Sequence, residues 1–117
     1  MNKYKIVLLC LIASLTLLGS CTKAVTFCGA ADPANDISWI KSYIQANTGS
    51  KIRIYKITYK ATDGFLLESC QNQDCSNYIG SFRNCSNQTI CTFGGVVGNS
   101  CPDFWYQTTY YQLLYSN

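Results

Sequence analysis

The 117 residues include no histidine, two prolines, one methionine and only 13% charged side chains. Without histidine there is no Ser-His or Cys-His nucleophile pair, and the usual general base near neutral pH is missing. The cysteines form no C-x-x-C pair either, so the thiols fit no zinc site, and no metal or other cofactor is expected. Gly94-Gly95-Val96-Val97-Gly98 is followed by neither a Lys-Ser/Thr pair nor a helical pattern, which excludes a phosphate-cradling loop. No apolar stretch is long enough to span a membrane. The longest, Ile6 to Leu18, is 13 residues, about 20 Å as a helix against a hydrocarbon core of roughly 30 Å.

What is present begins with an export pattern. Lys3 and Lys5 precede that apolar stretch without an acid between them, the profile of a removable signal peptide over residues 1–20. The residues Leu18-Gly19-Ser20-Cys21 resemble the lipobox of bacterial lipoproteins. That resemblance implies that the Cys21 thiol takes a diacylglyceryl group and that cleavage makes Cys21 the first mature residue. Two or three acyl chains attach a protein stably where one holds it marginally. The competing reading, a secreted chain with Cys21 in a disulfide, leaves an odd number of mature cysteines.

Setting aside Cys21 and Cys10, which lies in the discarded stretch, leaves Cys28, Cys70, Cys75, Cys85, Cys91 and Cys101. An even set in a short exported chain reads as three disulfides, with 15 pairings open to six cysteines. The favoured single pair is Cys85 with Cys91, facing one another across a hairpin. Cys28 with Cys101 is a weaker expectation, and Cys70 with Cys75 follows by elimination.

From Cys21 onward seven basic residues stand against six acidic ones, a net charge of +1. No nucleic-acid partner is implied. Residues 21–28 form the lipid anchor and a short tether, and residues 29–117 a single domain. Asp32 and Pro33 mark a helix start, Asp32 capping free N–H groups and Pro33 suiting the first helical position. The helix is expected over Pro33–Ala46, with Ile37, Ile40, Tyr43 and Ile44 as one buried stripe flanked by Trp39, and Asn47 and Gly49 ending it. Lys51–Lys60, KIRIYKITYK, alternates as a strand. Its apolar residues change from even to odd positions, which means either a bulge or a strand covered on both faces. Thr62-Asp63-Gly64 is the expected hairpin turn, with Phe65–Ser69 returning. Cys70–Asn77 reads as a stapled loop, Tyr78–Arg83 and Thr89–Phe93 as a second hairpin, and the aromatic end Trp105–Ser116 as a closing strand with Tyr111, Leu113 and Tyr115 alternating. The fold class is α+β: one N-terminal helix packed on an antiparallel sheet of four or five strands, stapled by disulfides.

Taken together, the lipobox, the D-P-x-x-x-I-x-W-I-K helix, the Ile-Tyr strand and the run C-x5-C-T-F-G-G-x-x-G-x-x-C-P-D-F resemble a family of small uncharacterised Bacteroidota lipoproteins. The resemblance is carried by Ile37–Lys41, Ile52–Tyr59 and Cys85–Phe104. It implies an envelope location and supplies no activity. Surface-exported lipoproteins of that phylum carry acids just after the lipidated cysteine, and Thr22-Lys23-Ala24 has none. The outer membrane, facing the periplasm, is the expected place.

Among carboxylates, Asp63 and Asp74 are accounted for by turns and Glu68 by a strand facing water. Asp103, after Pro102, reads as a turn former or a contact to backbone N–H groups. No catalytic residue is assigned. Trp105, Tyr106, Tyr110, Tyr111 and Tyr115 crowd the end of the chain, and such residues anchor interfaces and stack on sugars, although filling a small core is their more ordinary use. The function expected is a lipid-anchored, non-catalytic structural or interaction module, bound to the membrane by its lipid and to an envelope protein or glycan by its aromatic end. The alternative is a small inhibitor of a hydrolase, acting through a disulfide-held loop over Gly94–Asp103. A flat exposed patch of Tyr and Trp favours the first, and a projecting loop with little beneath it the second. Asn84-Cys85-Ser86 and Asn87-Gln88-Thr89 match glycosylation acceptors and read as turn residues.

Overall fold

The computed structural model describes residues 25–96 and 98–117. The expected signal peptide, Cys21 and the tether up to Ala24 lie outside the described residues, as does Val97. Five antiparallel strands form one sheet: β1 (Ile52–Tyr59), β2 (Thr62–Cys70), β3 (Tyr78–Asn84), β4 (Thr89–Phe93) and β5 (Thr108–Ser116), in the spatial order β4-β3-β2-β1-β5. The first four strands meander, and the chain then crosses the sheet so that β5 pairs with β1. No helix among the described residues is long and apolar enough to cross a membrane.

Two short helices replace the expected single one: α1 (Pro33–Asp36) and α2 (Ser38–Ala46). Ile37 between them adopts an extended backbone, φ −92° and ψ 111°. Asp32 makes no side-chain cap. Its carboxylate accepts from the Asn35 amide at 2.7 Å, while its own N–H donates to Asp36 at 3.0 Å. The expected stripe nonetheless faces the sheet. Ile40 is fully buried against Ile52, Ile54, Phe65 and Leu67, with Ile37, Trp39, Tyr43 and Ile44 half-buried around it.

The change of parity in β1 is the mark of a strand covered on both faces. Ile52 and Ile54 point to the helices, whereas Tyr55, Ile57 and Tyr59 point to a second core with Leu66, Phe82, Cys91, Phe93 and Phe104. A bulge is present too, in β5. Ile54 pairs with Tyr115 and Tyr55 with Leu113, so Leu114 is the extra residue and Tyr115 turns toward the helices.

The first hairpin turns at Lys60 and Ala61, not at Thr62-Asp63-Gly64. Tyr59 pairs directly with Thr62, and both turn residues take positive φ, 47° and 60°. Gly64 has a different task, because a Cβ there would stand 2.2 Å from the Arg83 carbonyl oxygen. Only glycine lets β2 and β3 approach this closely.

The disulfides are Cys28–Cys85, Cys70–Cys75 and Cys91–Cys101. The expected Cys70–Cys75 bond is present, and the expected Cys85–Cys91 and Cys28–Cys101 pairs are not. Cys85 lies beyond the end of β3, in a turn closed by the Asn84 N–H to the Gln88 carbonyl at 3.0 Å, and Cys91 stands opposite Phe82. Cys85 instead meets the turn at Phe27–Ala30, and the Trp39 indole N–H donates to its carbonyl at 3.2 Å.

A candidate binding surface at the aromatic edge

The five aromatics singled out in the sequence do not form one patch, because neighbouring residues of β5 face opposite ways. Tyr110 stacks on Phe27 on the helix face, ring centroids 5.7 Å apart, and Tyr115 is half-buried on the same side. Trp105 and Tyr111 belong elsewhere, and Tyr106 projects from the turn before β5. On the second face Tyr111 lies parallel to Tyr55, centroids 4.6 Å apart and planes inclined by 14°. Trp105 meets Tyr111 edge-on at 5.6 Å. Tyr55 is buried, while Trp105, Tyr111 and Leu113 are each about half exposed and Tyr106 is 90% exposed.

This surface is held from beneath. Phe104 is fully buried among Tyr59, Phe82 and Phe93, and Trp105 rests edge-on against it at 5.1 Å. The backbone carbonyl of Asp103 accepts from the N–H groups of Tyr106 and Gln107, making the turn that carries both aromatics. Asp103 thus stands in a turn, one of the two expectations for it, while its carboxylate binds side chains: the Tyr59 hydroxyl donates at 2.9 Å and the Lys60 ammonium lies at 2.7 Å. Lys60, then Tyr59, hold the Asp103 carboxyl below the usual carboxylate range.

Beside the stacked tyrosines lies a pair that the sequence reading missed. Glu68, expected to face water, is 2% exposed and opposes Arg53 across the β1–β2 ladder. The Arg53 guanidinium reaches one Glu68 oxygen through Nε at 2.8 Å and Nη2 at 2.7 Å, and its Nη2 also donates to the Cys75 carbonyl. Burial pushes the Glu68 carboxyl up, with Arg53 opposing that shift. Tyr111 is raised chiefly by desolvation and next by its hydrogen bond with Tyr55. Tyr78 is raised by desolvation and by the nearby Glu68 charge. The available signal was position: Glu68 closes the apolar run Phe65-Leu66-Leu67 and shares a face with Leu66. Likewise Tyr55 could have been found from the parity of β1.

Chemically the surface offers aromatic faces and hydroxyls over a neutralised charge pair. All six described cysteines are in disulfides, and no cluster of metal-ligating side chains occurs among the described residues. An open polar groove of about 640 Å³ lies at the other end of the sheet, between Thr48–Lys51 and Gln71–Gln73, with no aromatic in its lining. The loop from Gly94 exposes Val96 fully, yet its later part is bound down by Cys91–Cys101 and by the Ser100 N–H to the Thr92 carbonyl at 3.0 Å.

A family model described as a domain of unknown function (DUF6970) matches residues 41–117, from the middle of α2 through all five strands. No curated protein and no solved structure matches the chain.

Proposed function

Given that the chain belongs to this family, whose description names no activity, we propose that it is a lipid-anchored, non-catalytic interaction module of the bacterial envelope. Cys21 is its attachment point and Trp105, Tyr106 and Tyr111 its recognition surface, for an envelope protein or a glycan. The observation that supports this is the exposure of Trp105 and Tyr111 on a packed support, with Tyr106 exposed on the turn beside Trp105: residues that keep few degrees of freedom lose little entropy on binding. The chain also leaves the domain at Val25, next to Phe27 on the helix face, whereas Trp105 and Tyr111 lie on the other. This supports a recognition surface turned away from a bilayer at Cys21. The outer membrane, facing the periplasm, remains the proposed place, because Thr22-Lys23-Ala24, directly after Cys21, contains no acid.

The test has two parts. Mass spectrometry of the exported protein should find residue 21 as an acylated amino terminus, and an unmodified thiol there defeats the anchor. The tagged mature protein, incubated with envelope extract and with immobilised cell-wall glycan, should retain one partner that Trp105→Ala and Tyr106→Ala release, each lowering affinity by about tenfold or more. Unchanged retention by both variants defeats the surface. The inhibitor reading keeps one supporting observation, the exposed Val96 in a disulfide-bounded segment. It gains ground if a hydrolase is retained and Val96→Asp releases it.

A further inference from the structure

We infer that the helix face, where the chain leaves the domain, is a foot that seats on the headgroup layer of a phospholipid bilayer, formed by Val25, Phe27, Lys56 and Tyr110. The inference rests on the reading of Cys21 as a lipid attachment point and adds the face that the membrane meets, opposite Trp105 and Tyr111. Chain length sets the distance. Val25 lies four residues from Cys21, a span of at most about 14 Å at full extension. Headgroups occupy about 5–8 Å of each leaflet, so an acylated Cys21 keeps Val25 within about 10 Å of their outer surface. The arm cannot lengthen freely, because Cys28 is bonded to Cys85 and the Phe27 and Ala30 backbones pair with each other at 2.9 and 3.1 Å. Even with Val25 and Thr26 peeled away, Cys28 stays within about 25 Å of Cys21.

The side chains at this corner suit that layer. Val25 is 94% exposed, and two residues on, Phe27 stacks against the exposed Tyr110 while meeting the buried Phe65 edge-on at 5.5 Å. The Lys56 ammonium lies over the Phe27 ring, 5.9 Å from its centroid, and no carboxylate pairs with it among the described residues. A tyrosine joins an apolar ring to a wet hydroxyl, and a lysine stem can lie on apolar surface with its ammonium among phosphates. Lys23, within the arm, adds a second positive charge. Tyrosines and lysines of this kind anchor proteins at the membrane–water interface, and the lysines are drawn to anionic lipid. A folded protein does not fit between this corner and the bilayer, since a single helix with its side chains is already about 10–12 Å across.

A photoreactive p-benzoylphenylalanine in place of Tyr110 and, separately, of Tyr111 or Tyr106 reports which surface touches lipid, since neighbouring residues of β5 face opposite ways. In the lipidated chain, reconstituted in vesicles of phosphatidylethanolamine and phosphatidylglycerol, irradiation should attach phospholipid at position 110 and not at 111 or 106. Lys56→Glu reverses a half-exposed charge and should lower that yield about fivefold. Equal labelling at 110 and 111, labelling at 106 in preference to 110, or a yield unchanged by Lys56→Glu overturns the foot. A protein adduct at 110 in native membranes overturns it as well. Joining the Cys21 thiol of the mature chain to a maleimide-bearing phospholipid in the same vesicles separates the foot from the anchor. Labelling at 110 there, with native Cys21 found unmodified, defeats the anchor alone. Native acylation without a lipid adduct at 110 defeats the foot alone.

Discussion

The two edge strands of this sheet meet solvent on different terms. β4 has five residues and is overlaid by the chain that follows it: the Thr92 N–H donates to the Ser100 hydroxyl at 2.8 Å, the Ser100 N–H returns to the Thr92 carbonyl, and Cys91–Cys101 locks the overlay. β5 has nine residues, and Tyr110, Tyr111 and Leu113 are all substantially exposed. An unpaired edge is a row of unmet donors and acceptors, a hazard when uncontrolled and an assembly device when directed. Shortness, two hydrogen bonds and one covalent bond therefore separate the covered edge from the open one within the same sheet. The covering segment also runs directly into Phe104, so closing β4 and supporting the Trp105 surface are one structural event.

The contrast breaks most severely at Phe104. Phe104→Ala removes a fully buried ring shared by Tyr59, Phe82 and Phe93 and should cost about 3–5 kcal/mol, read as a lower denaturant midpoint. Next is Cys91→Ala with Cys101→Ala, which opens a short covalent loop. The loss should be about 3 kcal/mol, or a fall in Tm of roughly 10–20 °C by calorimetry, with new association through the uncovered β4 edge.

Asp103 sharpens the contrast by pH. Its carboxyl is depressed in the folded protein, so the stability it contributes is present above the unfolded-state value and is lost as pH falls through the folded one. Asp103→Asn should flatten the acid limb of a Tm against pH profile and leave the neutral region little changed. Glu68 has the opposite sign. Burial raises its folded value, so this group favours the fold on the acid side and opposes it as pH rises through that value. Glu68→Gln should remove that rise in cost. The smallest stability effects belong to the edges themselves. Thr89→Lys and Leu113→Lys change exposed or half-exposed side chains and should each shift stability by less than about 0.5 kcal/mol, read as a small change in denaturant midpoint.

Much of the sheet was legible because strand periodicity is local. β4 is found where its alternation and flanking turn residues put it, and β1 and β3 differ from expectation only at their ends, while β5 begins at Thr108 and its expected alternation fails at Leu114, which turns Tyr115 to the helix side. The stripe Ile37, Ile40, Tyr43 and Ile44 likewise predicted the buried helical face, since side chains three and four apart share a side. The break at Ile37 was not legible, and neither was the loss of the Asp32 cap, whose carboxylate is taken by the Asn35 side-chain amide. Nor was the Lys60-Ala61 turn: two ordinary residues accept left-handed backbone there because the register of β1 on β2 demands it, and the glycine that looked like the turn is needed elsewhere.

The sequence by itself determined the number of cross-links, the strand pattern, the absence of imidazole chemistry and the small net charge, since each depends on residue identity or short-range spacing. Only the tertiary structure decided which cysteines pair, that Glu68 is buried against Arg53, and that the terminal aromatics divide between two faces. Those outcomes depend on strand register and on a bulge at Leu114. A shift of one residue in an antiparallel pair exchanges the faces of every side chain beyond it, and the shift is settled only when the strand's own pattern meets its neighbour's.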